Sequence, residues 1–205
     1  MQLFGIPIYR KKIKISKKTI DKIKKEKYEL FPRQKNGYYT KSNVFILDQY
    51  KELKKQIEEE KNKFIYEDLK VQTDVDFKMI NSWFIKHKPK NHSGIHQHVN
   101  SFISGILYLD VGPETGALTF YKDNMWRNVF PNTFDVGFTS YNETNSASWT
   151  FIPENGEVFL FPSFLQHAVS VNKTDKDRYS CAFNFYPQGL LMHEDLSQLC
   201  LNVDM

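Results

Sequence analysis

From Val71 onward, apolar and polar positions alternate with a period of two; before that point they do not. The alternating part predicts strands over 71–77, 79–86, 95–98, 102–111, 117–121, 126–130, 149–152, 157–161, 167–171 and 179–186. Turn-rich pieces separate them, among them Pro89-Lys90-Asn91, Gly112-Pro113 and Pro153-Glu154-Asn155-Gly156. Many short strands at this spacing read as a mainly β protein, a sandwich or a jelly-roll barrel with flanking helices. The first seventy residues supply those helices. Ser16 is placed to cap a helix over 17–30, with Ile20 and Ile23 on its inner face. Asp48 is placed to cap a longer one over 48–68, whose stripe is Tyr50, Leu53, Ile57 and Phe64. Ahead of both, Ile6-Pro7-Ile8-Tyr9 and Ile13-Lys14-Ile15 read as edge strands. We expect one domain over 1–205, divided into a helical support (1–70), a β-barrel core (71–188) and a C-terminal tail (189–205).

The last strand carries two faces of opposite character. Tyr179, Cys181, Phe183 and Phe185 form an apolar face that must pack on something, and the helical layer is the available partner. Arg178, Ser180, Ala182 and Asn184 form a polar face on what reads as a central strand. A guanidinium with a hydroxyl two residues on suits a carboxylate. An ordinary surface ion pair is the plainer reading of Arg178 alone.

Composition narrows the classes. The 205 residues are 40% apolar and 25% charged, which suits a folded chain. The longest uncharged apolar stretch, Phe102 to Leu109, is too short to span a bilayer. Two cysteines, Cys181 and Cys200, allow neither a disulfide framework nor a thiolate metal cluster. The N-terminus lacks the basic and apolar regions of a secretory signal, which points to the cytoplasm. Residues 1–70 carry 19 basic and 10 acidic side chains, a net of +9, and the remainder has a net of −5. Lysine dominates the basic set and no aromatic–basic alternation accompanies it. It therefore reads as solvated helix faces rather than a nucleic-acid surface.

Three histidines fall where chemistry is possible. His96 and His98, two apart on one predicted strand, point the same way and make a two-point metal clamp. His167 follows a Pro162-Ser163 corner, 71 residues after His96. Each alone has a bland reading, polar surface for the pair and a satisfied core histidine for His167.

Taken together, these pieces resemble the iron(II)- and 2-oxoglutarate-dependent dioxygenases. The pattern is His96-x-His98, then distal His167, then Arg178-x-Ser180. Within that superfamily the chain is similar to a 2-oxoglutarate–Fe(II) oxygenase family of bacteria and phages. The likeness runs from Leu3-Phe4-Gly5-Ile6-Pro7 through Asn81-Ser82-Trp83 and Ser104-Gly105-Ile106-Leu107-Tyr108. It continues through Phe161-Pro162-Ser163-Phe164-Leu165-Gln166-His167 to Arg178-Tyr179-Ser180-Cys181-Ala182-Phe183-Asn184. It implies a double-stranded β-helix, with Fe(II), 2-oxoglutarate and O2 as cofactor and co-substrates. It also implies His96, His98 and His167 as metal ligands, and Arg178 with Ser180 on the far carboxylate of 2-oxoglutarate. Tyr108 and Asn184 are expected beside the co-substrate, Tyr108 with an equal claim to being a core tyrosine. Trp83 reads as core, and His87, His92 and His193 as loop or tail residues without a role.

One position departs from the superfamily rule. His98 stands where an aspartate or glutamate is usual. Three neutral imidazoles leave iron(II) at a formal +2, which the dianionic co-substrate would neutralise. Zinc also accepts three histidines. Two other readings stay open: a three-histidine cupin-type dioxygenase that does not use 2-oxoglutarate, and a non-enzymatic jelly-roll module. The expected substrate is a small molecule or peptide, hydroxylated in the cytoplasm, or the host cytoplasm for a phage-encoded chain. A homodimer is compatible; membrane and nucleic acid are not expected partners.

Overall fold

The computed structural model describes residues 5–32, 35–41, 44–122, 137–191 and 199–201. Two antiparallel sheets face each other. In chain order the strands are β1 (Tyr9–Lys12), β2 (Glu29–Leu30), β3 (Tyr38–Tyr39), β4 (Asp76–His87), β5 (Ser93–His96) and β6 (Ile103–Asp110). Then come β7 (Leu118–Tyr121), β8 (Ser148–Phe151), β9 (Glu157–Pro162), β10 (His167–Val169), β11 (Arg178–Leu191) and β12 (Leu199–Leu201). The larger sheet runs β1-β9-β6-β11-β4-β3-β2, with β12 on the far end of β11, and the smaller runs β5-β10-β7-β8. Consecutive strands from β4 to β11 alternate between the sheets except where β7 and β8 form a hairpin. This is the jelly roll the alternation predicted.

The two faces of β11 separate two cores. Tyr179, Cys181, Phe183 and Phe185 pack outward against Ile23, Leu53, Ile57 and Phe64 of the helical layer. On the other face, Tyr108, Phe159 and Phe161 meet Leu118, Phe120, Leu165 and Val169 between the sheets. The second core does not fill the space between the sheets: a cavity lies beside it, and Phe161 and Val169 belong to both.

The helices are shorter than their periodicity predicted. Helix α1 covers Lys17–Lys24, and the Ser16 hydroxyl caps it by accepting from the Thr19 amide at 3.1 Å. It stops because only Ile23 is deeply buried; the chain beyond turns into β2. Asp48 caps nothing. It lies in a 3₁₀ turn, Ile46–Gln49, that buries Ile46 and Leu47, and its carboxylate pairs with Lys54 instead. Helix α2 covers Lys51–Asn62 and continues as a π-helical segment over Lys63–Asp68. The predicted stripe is sound, since Tyr50, Leu53, Ile57 and Phe64 are all buried.

Strand predictions erred mainly at boundaries. Residues 71–75 are not strand, and the pieces at 71–77 and 79–86 are one strand, β4. The predicted strand 126–130 and His193 lie outside the described residues. The two-residue strands β2 and β3 carry no period of their own, and they extend the larger sheet beside β4. No helix among the described residues is long and apolar enough to cross a membrane.

Where β6 crosses β11, Gly105 faces Phe183. A Cβ at Gly105 would lie 2.1 Å from a Phe183 ring carbon and 2.8 Å from a Leu160 methyl carbon. Both neighbours are fully buried and have no room to retreat. Gly105→Ala should therefore cost about 1–3 kcal/mol of folding stability through overpacking. An unchanged urea midpoint would show that the outer core yields more easily than this packing implies.

Candidate metal and co-substrate site

The smaller sheet brings two of the histidines together directly. In its register His167 of β10 lies opposite His96 of β5 and, on the other side, opposite Phe120 of β7. Strand β5 ends at His96, so His98 is not on it, and strand alternation does not explain how the two share a direction. His98 is held by its backbone instead: its amide donates to the Ser163 carbonyl at 3.0 Å, at the corner that follows β9. The outcome is the expected cluster. One ring nitrogen from each of His96, His98 and His167 lies within 4.8 Å of the other two.

Hydrogen bonds fix which nitrogen each ring offers. His96 Nδ1 meets the Gly94 carbonyl at 2.8 Å, and His167 Nδ1 meets the Leu165 carbonyl at 2.9 Å. Carbonyls only accept, so both Nδ1 atoms carry the proton and both Nε2 lone pairs are free. His98 Nδ1 lies 2.7 Å from Asn184 Oδ1 and 2.8 Å from Ser104 Oγ. Asn184 is oriented by its amide nitrogen, which donates to Asn81 Oδ1 at 2.7 Å. Ser104 in turn donates to Asn184 Oδ1, and Ser163 lies 2.8 Å from the Ser104 hydroxyl. His98 thus also donates through Nδ1. Three imidazoles with anchored Nδ1 protons present three Nε2 acceptors, the arrangement a metal ion needs.

Burial favours the neutral form of two of these rings, His98 and His167. It lowers His167 to about 3, helped by His96, and it lowers His98 against the opposing hydrogen bond from Asn184. Neutral imidazole is the ligating form.

The larger sheet supplies the other half. On β11, Arg178 and Ser180 point into the barrel beside Tyr108 of β6, and all three are buried. The Arg178 guanidinium carbon sits 5.1 Å from the Tyr108 ring centroid. Among the described residues, Arg178 Nε and Nη2 have no hydrogen-bond partner, nor has the Tyr108 hydroxyl. Burial raises Tyr108 to about 12, so its hydroxyl keeps its proton as a donor. An unpaired cation with two free N–H groups and a free O–H, all buried, fits one carboxylate. Arg178, Ser180 and the three histidines line one cavity of about 470 Å³. Asn184, expected at the co-substrate, contacts His98 and Asn81.

Two residues assigned no site role belong here. His87 is not a loop residue. It ends β4 directly opposite Arg178, and only 2% of its surface is exposed. Its Nδ1 lies 3.3 Å from Arg178 Nη1, and its Nε2 lies 3.2 Å from the Ser93 hydroxyl. Burial, with Arg178 beside it, lowers His87 to about 3, so it is a neutral acceptor that leaves the arginine's charge intact. One signal for it was available. Carrying the alternation one step past Lys86 sets His87 on the face of Trp83 and Ile85, and all three line the cavity. Trp83 is not core either. It is half-buried, with its ring centroid 6.3 Å from that of His98.

The neutral state of His87 has a consequence for the metal-free protein. Its folded value lies below the unfolded value of 6.5, so the stability it contributes is complete above that pH. It is lost as pH falls from 6.5 toward 3. At pH 5 the loss from His87 alone is about 2 kcal/mol. Wild type should therefore lose more thermal stability between pH 7 and pH 5 than His87→Asn does. Equal losses would mean that His87 is not held neutral.

Comparison with known proteins agrees with the site. Residues 81–184, just over half of the chain, match the family model described as "Putative 2OG-Fe(II) oxygenase". No curated protein matches by sequence. Solved structures share the fold at low identity. The α-ketoglutarate-dependent carbocyclase SnoK of nogalamycin biosynthesis aligns with a TM-score of 0.60 at 12% identity, over 88% of this chain and 80% of SnoK. HygX from Streptomyces hygroscopicus, solved with nickel and 2-oxoglutarate bound, gives 0.58 at 10%, over 88% and 83%. A Pseudomonas putida prolyl-4-hydroxylase gives 0.54 at 15%, over 90% and 94%. With the family match running from within β4 to within β11 and holding the three histidines, Arg178 and Ser180, the chain belongs to the 2OG-Fe(II) oxygenases, oxidoreductases that use iron(II), 2-oxoglutarate and O2.

Proposed function

We propose that this oxygenase hydroxylates a small molecule or a peptide segment, with His96, His98 and His167 as its iron ligands. Arg178 and Ser180 grip the far carboxylate of 2-oxoglutarate, and the Tyr108 hydroxyl donates to the same group. His87 holds Arg178 in place without cancelling its charge. Asn184 holds the His98 ring through Nδ1 and so keeps Nε2 turned to the metal. When bound, iron(II) and 2-oxoglutarate supply the oxygen-activating chemistry of the family. The residues of the chain bind, orient and keep the pocket dry: Phe120 and Phe161 pack against the His167 ring.

One observation carries this reading. Three imidazoles with fixed Nδ1 protons share a cavity with a buried guanidinium that has two free N–H groups. A metal site without 2-oxoglutarate has no use for Arg178. The test is succinate formation from 2-oxoglutarate by protein purified without a histidine tag. It should require both added iron(II) and O2, and it should vanish in His167→Ala. Iron binding without any 2-oxoglutarate affinity would favour the cupin-type alternative.

A further inference from the structure

The cavity has a second wall that neither the metal nor the co-substrate explains. It lies on the β3 side of β4. Trp83 and Ile85 of β4 form its floor, Tyr39 of β3 pairs with Ile85, and Phe31 and Val44 complete it. Phe31 and Tyr39 stack in parallel, 4.5 Å apart with 2° between their planes. The wall spans the site. Trp83 stands beside His98 at one end, and at the other Phe31 meets His87 across Gly37. None of the five side chains belongs to either hydrophobic core, although four of them are large. Half-buried aromatic rings around a cavity are ligand surface rather than core.

Resting on the oxygenase reading above, we propose that this wall is the substrate subsite and that it takes an uncharged, flat apolar group, such as an aromatic ring. Charge decides against the other candidates. Arg178 is the one side chain with a formal charge among the described residues lining the cavity, and the proposed function assigns its free N–H groups to the co-substrate. Among the described residues, a cationic substrate group would find no carboxylate there, and it would face Arg178 and a metal dication. An aromatic cage for ammonium ions needs open ring faces. Phe31 and Tyr39 instead cover one another. Among the described residues, a second anionic group would find no further basic partner on the wall. A cavity of about 470 Å³ lies within the ordinary range for small-molecule sites.

The test uses two probes of one skeleton, 3-phenylpropan-1-ol and the cation 3-phenylpropylamine. The protein is loaded anaerobically with manganese(II), with and without 2-oxoglutarate, and broadening of the probe's proton resonances reports binding near the metal. The alcohol should bind saturably and at least about tenfold more tightly than the amine. Trp83→Leu and Tyr39→Leu should each weaken it about five- to tenfold, the scale of one lost aromatic contact. Tyr39→Leu should leave 2-oxoglutarate affinity by calorimetry within about twofold of wild type. Equal or tighter binding of the amine would overturn the proposal. So would alcohol affinity that is unchanged in both variants, or no saturable binding of the alcohol. Failure of wild type to bind 2-oxoglutarate would instead sink the co-substrate assignment, and the titration with manganese alone would still decide the wall.

Discussion

Arg178→Ala should leave the fold intact and nearly abolish 2-oxoglutarate binding. The guanidinium is 1% exposed, and its Nη1 meets His87 in the barrel. Burial lowers its pKa, yet arginine stays charged at any working pH. A carboxylate brought to this position without it would be a buried, unpaired anion. The expected loss is about 2–5 kcal/mol, or roughly 30- to 4,000-fold in affinity. Calorimetric titration of the manganese-loaded protein measures it. Arg178→Lys should recover only part of the loss, because an ammonium cannot reproduce the fork of Nε and Nη2. His87→Asp should weaken binding by the opposite route: a carboxylate at position 87 would pair with Arg178 and cancel the charge meant for the co-substrate. Near-wild-type affinity in Arg178→Ala would remove the carboxylate role from this residue.

How far the site could be read in advance depended on whether a residue's role is local. The polar face Arg178-x-Ser180-x-Ala182-x-Asn184 was visible because a strand's period is two wherever the strand lies. The outward face was visible for the same reason, and it packs on the predicted helical stripe. The three histidines were visible through their types and spacing. The partner of His87 was not, because it comes from register: β4 and β11 pair antiparallel, which sets residue 87 opposite residue 178. The aromatic wall was hidden for a related reason. Tyr38 and Tyr39 form a strand of two residues, too short to show alternation, and its position beside β4 is a tertiary fact. His98 is instructive in a different way. The same-face argument put it near His96, and its ring does cluster with that of His96, but β5 ends two residues earlier, so strand alternation is not the cause. The side chain arrives by its amide bond to Ser163 and by the socket that Asn184 and Ser104 make for its Nδ1 proton.

That socket shapes the second large effect, on metal affinity. His96→Ala and His167→Ala should each remove tight iron(II) binding, since each deletes an anchored Nε2 and leaves two ligands. His98→Ala should weaken it strongly as well. His98→Asp should fall between His98→Ala and wild type. It restores an anionic oxygen, which iron(II) favours. It also loses the Nδ1–H that the oxygens at Asn184 and Ser104 are arranged to accept. Those two oxygens would face a carboxylate until Ser104 turned to donate. Asn184→Leu tests the socket without touching a ligand. It removes one of the two acceptors at His98 Nδ1 and the anchor of the other, Ser104, and affinity should fall by about 10- to 100-fold, the usual effect of losing a ligand's supporting hydrogen bond. Anaerobic iron(II) titration of all five variants reads the series, with zinc(II) as a second metal. Wild-type affinity in His98→Ala would leave a two-histidine site. Full affinity in Asn184→Leu would mean that Ser104 and the backbone placement at Ser163, rather than Asn184, hold the third imidazole.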